Sequence, residues 1–400
     1  MQFSSRIMKC GESPIRKFLP FALEAEKKGH KIYHLNIGQP DVITPPQFFE
    51  TVREFNVPTL EYAPSPGMPE LITAVRGYYA KLGVNYEDKD ILITTGGSEA
   101  LMITFQCILD AGDEILIPEP FYPNYGTIAN LCDAVIRPIP TTPEEGYRYA
   151  VKEKIEPLIN EKTRAILVTN PGNPTGVVLT EQEMQVIADI AKEHGLFLIA
   201  DEAYREFYYD GGGLRTFATY DEIAENVIVC DTVSKRFSAC GARIGCLITK
   251  NQALRAHALK FCQCRLSVST LEQLGSAALY TVGPEYFAEV REEYLRRRDT
   301  LMEGLQAIPG AVSTVPQGAF YTMVALPVDD ADKFQRWMLE VFEDNGDTVM
   351  VTPGAPMYRT PGRGANEVRI AYVLECDKIK RAVELLGKGI ARYRKEVMGL

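Results

Sequence analysis

From about residue 90 onward, short apolar runs alternate with stretches of helical period. ILIT (91–94) precedes SEALMITFQCILDA, EILIP (114–118) precedes PNYGTIANLC, and AILVT (165–169) precedes a loop and TEQEMQVIADIAKEH. FLIAD (197–201), VIVCD (227–231) and CLIT (246–249) complete the series. Short runs rich in β-branched residues with no polar alternation are strands covered on both faces. The pattern therefore predicts an α/β fold, a mostly parallel mixed sheet of about seven strands flanked by helices. One helix announces both of its ends: Thr180 can cap it with Glu183 three residues on, Met184, Ile187, Ile190 and Ala191 form its apolar stripe, and Gly195 can close it.

Past residue 285 the texture changes. YFAEVREEYLRRRDTLMEGL has the charged, amphipathic pattern of a long helix, followed by strand-like AFYTMVAL, a helix near 331–344, strand-like EVRIAYV and a last helix. This α+β pattern predicts a smaller domain made from 286–400 and from the irregular-looking 1–45, set against a large domain over 46–285.

Composition narrows the function. The chain has 400 residues, 46% hydrophobic and 24% charged, enough for a sizeable core. A net charge of -10 argues against a sequence-independent nucleic-acid binder, which needs a basic face. The nine cysteines include no CxxC pair and the four histidines make no ligand pattern with them, so neither a disulfide framework nor a metal site is expected. No apolar run reaches membrane-spanning length and the N-terminus lacks an apolar leader core, so a cytoplasmic protein is expected.

Five stretches stand near predicted strand ends, where open α/β sheets bind their ligands. TTGGSEAL (94–101) ends a strand, turns on two glycines and starts a helix, a combination that suits phosphate. PEPFYPNY (118–125) offers aromatic rings on a proline-stiffened turn that can stack on a planar ring. NPGNPTG (170–176) is a stiff loop presenting Asn173. ADEAY (200–204) places acids at the end of a buried strand, where a cation is needed. DTVSKRFSACGARIG (231–245) brings Lys235 to a strand end with Ser234 beside it and Arg243 eight residues on; Arg236 has the look of a solvated charge. Together they ask for a phosphorylated aromatic ligand with a ring nitrogen that wants a carboxylate and a carbonyl that wants an amine. Pyridoxal phosphate meets every requirement. Neither GxGxxG nor GxxxxGK[ST] occurs, which disfavours dinucleotides and nucleoside triphosphates.

With these stretches in this order, together with SPIR (13–16), NIGQPD (36–41), Tyr62 with Gly67, QGAFY (317–321) and VRIAY (368–372), the sequence resembles the class I/II aminotransferases, the fold-type I pyridoxal-phosphate enzymes. A small departure is Thr232, where that family more often has Gly or Ser. The resemblance implies an enzyme that moves the amino group of an L-amino acid to a 2-oxo acid such as 2-oxoglutarate by a ping-pong mechanism. It implies that Lys235 forms the internal aldimine and is the general base, and that Asp201 pairs with the pyridine nitrogen. Tyr204 and Asn173 would bond the ring hydroxyl oxygen, and Tyr122 would stack on the ring. Gly97, Ser98, Ser234 and Arg243 would hold the phosphate, with Gly241 and Gly245 letting the backbone turn close to the cofactor. Arg369 would grip the substrate α-carboxylate, helped by Gly38. A homodimer is implied, with Tyr62 completing the neighbouring site.

Aspartate is one candidate donor, with alanine and aromatic amino acids as alternatives. One bacterial aspartate branch carries a lysine in the glycine turn, where this chain has Ser98; Arg215, Arg265, Arg359 and Arg363 are the candidate substitutes. A C–S β-lyase or an aminocyclopropane-carboxylate-type synthase would share these motifs. A transcription regulator built on this fold is disfavoured, because only about 35 residues precede NIGQPD and a winged helix needs more.

Overall fold

The computed structural model describes residues 1–210 and 215–400. Its centre is a seven-stranded sheet in the order Ile91–Thr94, Gly245–Ile248, Val227–Thr232, Phe197–Asp201, Thr163–Thr169, Glu114–Pro118, Val135–Ile139. Only Gly245–Ile248 runs antiparallel to its neighbours. The expected mixed α/β sheet is present. Alternation along the strands explains why both faces are apolar. Val227 and Val229 join a cluster with Tyr79 and Ile187 on one face, while Ile228 and Cys230 join Phe105 and Ile128 on the other.

The helix Glu181–Glu193 carries the expected box. The Glu183 amide donates to Thr180 Oγ1 at 3.2 Å and the Thr180 amide to Glu183 Oε2 at 2.8 Å. The strand Val135–Ile139 is absent from the sequence-based expectation. Its run is broken by Pro138, and the strand survives because it lies at the sheet edge, where a missing amide leaves no neighbour unpaired.

A second, four-stranded sheet contains Tyr321–Ala325 paired antiparallel with Glu367–Ala371. Long helices Pro284–Gln306 and Cys376–Glu396 accompany it, and its core gathers Phe320, Tyr372 and Leu386. The first 45 residues are more regular than expected. Leu19–Lys27 is a helix, and Lys31–His34 is a strand paired parallel with Asp347–Met350. Four-residue strands carry too little periodicity to stand out in sequence. Beyond it, the Leu35 amide donates to Met350 O and the Ala371 amide to Leu35 O, each at 2.8 Å, so residues 35–38 run from this region into the main cleft.

Arg236 corrects the expectation of a solvated charge. It is 2% exposed, pairs with Asp231 at 2.7 Å, and lies 4.0 Å from the centroid of the Tyr78 ring. Tyr79 also donates to Asp231, at 3.1 Å. No local pattern marks this pair, because the partner lies five residues earlier, across the turn that carries Lys235. Among the described residues no helix is long and apolar enough to cross a membrane, and all nine cysteines are unpaired.

Removing one partner of a buried pair strands the other charge. Arg236→Ala is expected to destabilise the fold by about 3–5 kcal/mol in urea denaturation, and the double variant Asp231→Asn/Arg236→Met to recover most of that loss. A single-variant loss below about 1 kcal/mol, the range of exposed pairs, would show that the pair is not the buried anchor described.

Candidate active site

The residues singled out by sequence converge at the carboxyl ends of the central strands. Gly38, Gly97, Ser98, Tyr122, Asn173, Asp201, Tyr204, Ser234, Lys235, Arg243 and Arg369 all line one cleft of about 610 Å³. Tyr62 does not; it is 80% exposed on the surface.

Lys235 sits on the one-turn helix Val233–Arg236 that follows the strand Val227–Thr232. Thr232 ends that strand and caps the turn: its Oγ1 accepts from the Ser234 amide at 3.2 Å and lies 2.8 Å from the Ile244 carbonyl, to which it donates. The Lys235 amine donates to the Gly38 carbonyl at 2.8 Å and lies 3.6 Å from Cys240 Sγ. The Gly38 backbone is therefore engaged with the lysine. A side chain at Gly38 would overlap the Tyr321 hydroxyl.

The helix Gly96–Ile108 begins beside this turn, and its first amides have no partner inside the helix. Arg243 lies across from it in a left-handed conformation, φ 54°, an uncommon state for a side-chain-bearing residue, and donates to the Cys240 carbonyl at 3.0 Å. A Cβ at Gly96 would run into the Arg243 guanidinium. Gly245 is tighter still: a Cβ there would stand 2.5 Å from Gly96 C, 2.6 Å from Gly97 N and 2.7 Å from the Asp231 carbonyl. This amends the expectation for both glycines. Gly245 lets one backbone cross another, and Gly241 faces open space with nothing to require it.

The acidic pair resolves into two different environments. Glu202 finds its cation inside the chain, Arg205 at 2.9 Å. Asp201 accepts from the Tyr125 hydroxyl at 2.6 Å and from the Ala203 amide at 3.2 Å, with no cation at ion-pair distance among the described residues. Burial, only partly offset by the Tyr125 bond, pushes its pKa up to about 6. A buried carboxylate in that state asks for a positive partner from outside the chain.

Arg369 is 1% exposed. It donates to Asn173 Oδ1 at 3.1 Å and to the Asn36 carbonyl at 2.8 Å, and lies 4.5 Å from the centroid of the Tyr321 ring, while its Nε is buried without a partner. Asn173 also donates to the Tyr204 hydroxyl at 3.3 Å, and Tyr204 meets the Tyr321 hydroxyl at 3.0 Å. Tyr321 and Tyr125 are the residues that sequence reasoning missed. Both lie in quoted stretches, QGAFY and PFYPNY, yet aromatic positions in such runs are indistinguishable from core until the fold turns them inward. None of Arg215, Arg265, Arg359 and Arg363 lines the cleft. Arg215 pairs with Glu181 and Arg265 with Glu99, Arg363 donates to the Thr141 carbonyl, and the Arg359 guanidinium lies against Gly126.

The family profile for class I and II aminotransferases matches residues 30–386. The chain belongs to that family. It is 30% identical over 379 residues to the aspartate/prephenate aminotransferase of Thermus thermophilus, covering 93% of this chain and 94% of that one. An aspartate aminotransferase from the same organism, solved with maleate, superposes at a TM-score of 0.88 with 27% identity, over 97% of this chain and 100% of that one. An alanine aminotransferase from Pyrococcus furiosus superposes at 0.87 with 28% identity, over 98% and 100%. The aminotransferase is a pyridoxal-phosphate enzyme, and the site fits that group. The buried Asp201 lacks a cation, the Arg243 guanidinium lies against Gly96 of the glycine turn, and Lys235 is the one lysine lining the cleft among the described residues.

In the cofactor-free protein the raised Asp201 pKa has a stability consequence. The folded state holds a proton that the unfolded state releases at its ordinary value of 3.8, so stability is full below that pH and is lost as pH rises through about 6. Two pH units correspond to about 3 kcal/mol at most. Denaturation of the cofactor-free protein should show this decline between about pH 4 and 6, and Asp201→Asn should remove it. An identical profile in the variant would assign the decline to another group.

Proposed function

We propose that this aminotransferase takes its amino group from a dicarboxylic L-amino acid such as aspartate and passes it to a 2-oxo acid such as 2-oxoglutarate in two half-reactions. One observation carries the reading: a cleft that places a lysine amine, a buried carboxylate without a cation and a buried arginine with an unpartnered Nε around one space. The maleate in the Thermus thermophilus structure, a four-carbon dicarboxylate, supports the substrate class.

Bound pyridoxal phosphate supplies a carbonyl that condenses with amines and a protonated ring that accepts the electrons of a broken Cα–H bond. Asp201 would hold the ring nitrogen in its protonated form. Tyr204 and Asn173 would bond the ring oxygen, and Tyr122 would cover the ring. Gly97, Ser98, Ser234 and Arg243 would hold the phosphate, because helix amides and a guanidinium suit a dianion. Arg369 takes the substrate α-carboxylate in its planar fork. The Lys235 amine then removes the Cα proton and returns a proton on the other side of the transfer.

Borohydride reduction of the holoenzyme is expected to fix the cofactor onto the peptide bearing Lys235. Lys235→Ala should lose at least about 10²–10⁴-fold in turnover, the share a positioned base supplies, while keeping its fold. Normal turnover in that variant would overturn the assignment. A panel of amino acids read as single half-reactions tests the donor, and pyruvate with ammonia released in the absence of an oxo acid would point to β-elimination instead.

We further propose that the working form is a homodimer, because Tyr62 is displayed away from its own cleft. Co-expression of Lys235→Ala with Tyr62→Ala chains forms hybrid dimers with one site intact, so activity above that of either parent is expected. Absence of recovery in verified hybrids would place Tyr62 outside the site.

A further inference from the structure

The charges of the cleft leave one residue without an assignment. Four cations line it, Arg16, Lys235, Arg243 and Arg369, against a single acid, Asp201. On the reading above, Lys235 answers the cofactor carbonyl, Arg243 the phosphate, Arg369 the α-carboxylate, and Asp201 the ring nitrogen. Arg16 remains. Its side chain is exposed and has no hydrogen bond or ion pair to any described residue.

Its position is not that of a loose arginine on an arm. Asn36, 3% exposed, ties the Arg16 segment to Arg369. The Asn36 carbonyl accepts from Arg369 Nη2 at 2.8 Å, and its side-chain amide donates to the Ile15 carbonyl at 3.4 Å. Ser13 and Ile15 line the same cleft, and Phe18 on the following turn is 3% exposed, packed with Ala22, Leu339 and Met350. Arg16 thus stands between two anchored residues. It is near enough to Tyr122 that its charge opposes the upward push that burial gives that phenol.

We infer that Arg16 is a specificity-determining residue: its guanidinium receives the second carboxylate of a dicarboxylic substrate whose α-carboxylate is held by Arg369. This rests on the proposed aminotransferase reading and deepens it. Of the arginines suggested by sequence, Arg215, Arg265 and Arg363 are engaged elsewhere in the chain and Arg359 does not line the cleft, and Ser98 carries no charge, so among the cations that line the cleft Arg16 is the one still open to such a group. A monocarboxylic substrate leaves Arg16 in water and gains nothing from it.

The test uses the cofactor-loaded enzyme and two readouts. The first is kcat/KM for the aspartate half-reaction divided by that for alanine. The second is equilibrium affinity for succinate relative to butyrate, which have no amino group to react. Removing a charge-assisted hydrogen bond to the substrate lowers both ratios at least about tenfold in Arg16→Gln, and Arg16→Lys should recover part of the loss. Ratios unchanged in Arg16→Gln, or a wild-type enzyme that binds succinate no better than butyrate, overturn the inference and leave Arg16 a solvated charge. Equal loss for both substrate classes overturns it too, making Arg16 a prop for the fold. If the wild type converts no amino acid yet prefers succinate through Arg16, the aminotransferase reading fails while the dicarboxylate site stands.

Discussion

The carboxylate of Asp201, held at the end of a central strand by Tyr125 and the Ala203 amide, has no cation at ion-pair distance among the described residues. Its neighbour Glu202, one residue on and pointing to the other side of the sheet, is fully answered by Arg205. Burial penalises an uncompensated carboxylate, so the fold holds a group that, in the proposed reading, a protonated ring nitrogen would balance. The other parts of the cleft are arranged around that point. The lysine comes from the next strand, the glycine turn from a helix start, and the arginine from the second sheet.

Below the cleft lies a second charged layer with the opposite logic. Asp231 pairs with Arg236 and Glu202 with Arg205, and Tyr79 donates to Asp231, all out of contact with water. Paired buried charges fix geometry, whereas the carboxylate of the layer above is left without a cation. Lys235 sits at the boundary, its helical turn flanked by Ser234 facing the cleft and Arg236 facing the core.

Much of this is legible in the chain. Strand ends, glycine turns and the lysine stretch announce themselves by local composition, and family resemblance assigns them roles. What escapes depends on long-range placement. Arg236 reads as solvated because its burial is decided by Asp231 and Tyr78 and not by its sequence neighbours. Tyr321 and Tyr125 look like core until the fold aims their hydroxyls at Tyr204 and Asp201. The strand Val135–Ile139 is hidden by Pro138, whose tolerance depends on an edge position that only the assembled sheet defines.

The crossing at Gly245 carries a broader meaning. There the main chain of the antiparallel strand rests directly on the main chain of the glycine turn. The spacing between the lysine turn and the helix Gly96–Ile108 is therefore a backbone dimension, indifferent to which side chains surround it. A ruler made of peptide units does not drift when the residues around it are exchanged. This chain and the maleate-bound enzyme differ at nearly three-quarters of their positions, at 27% identity, and superpose at a TM-score of 0.88.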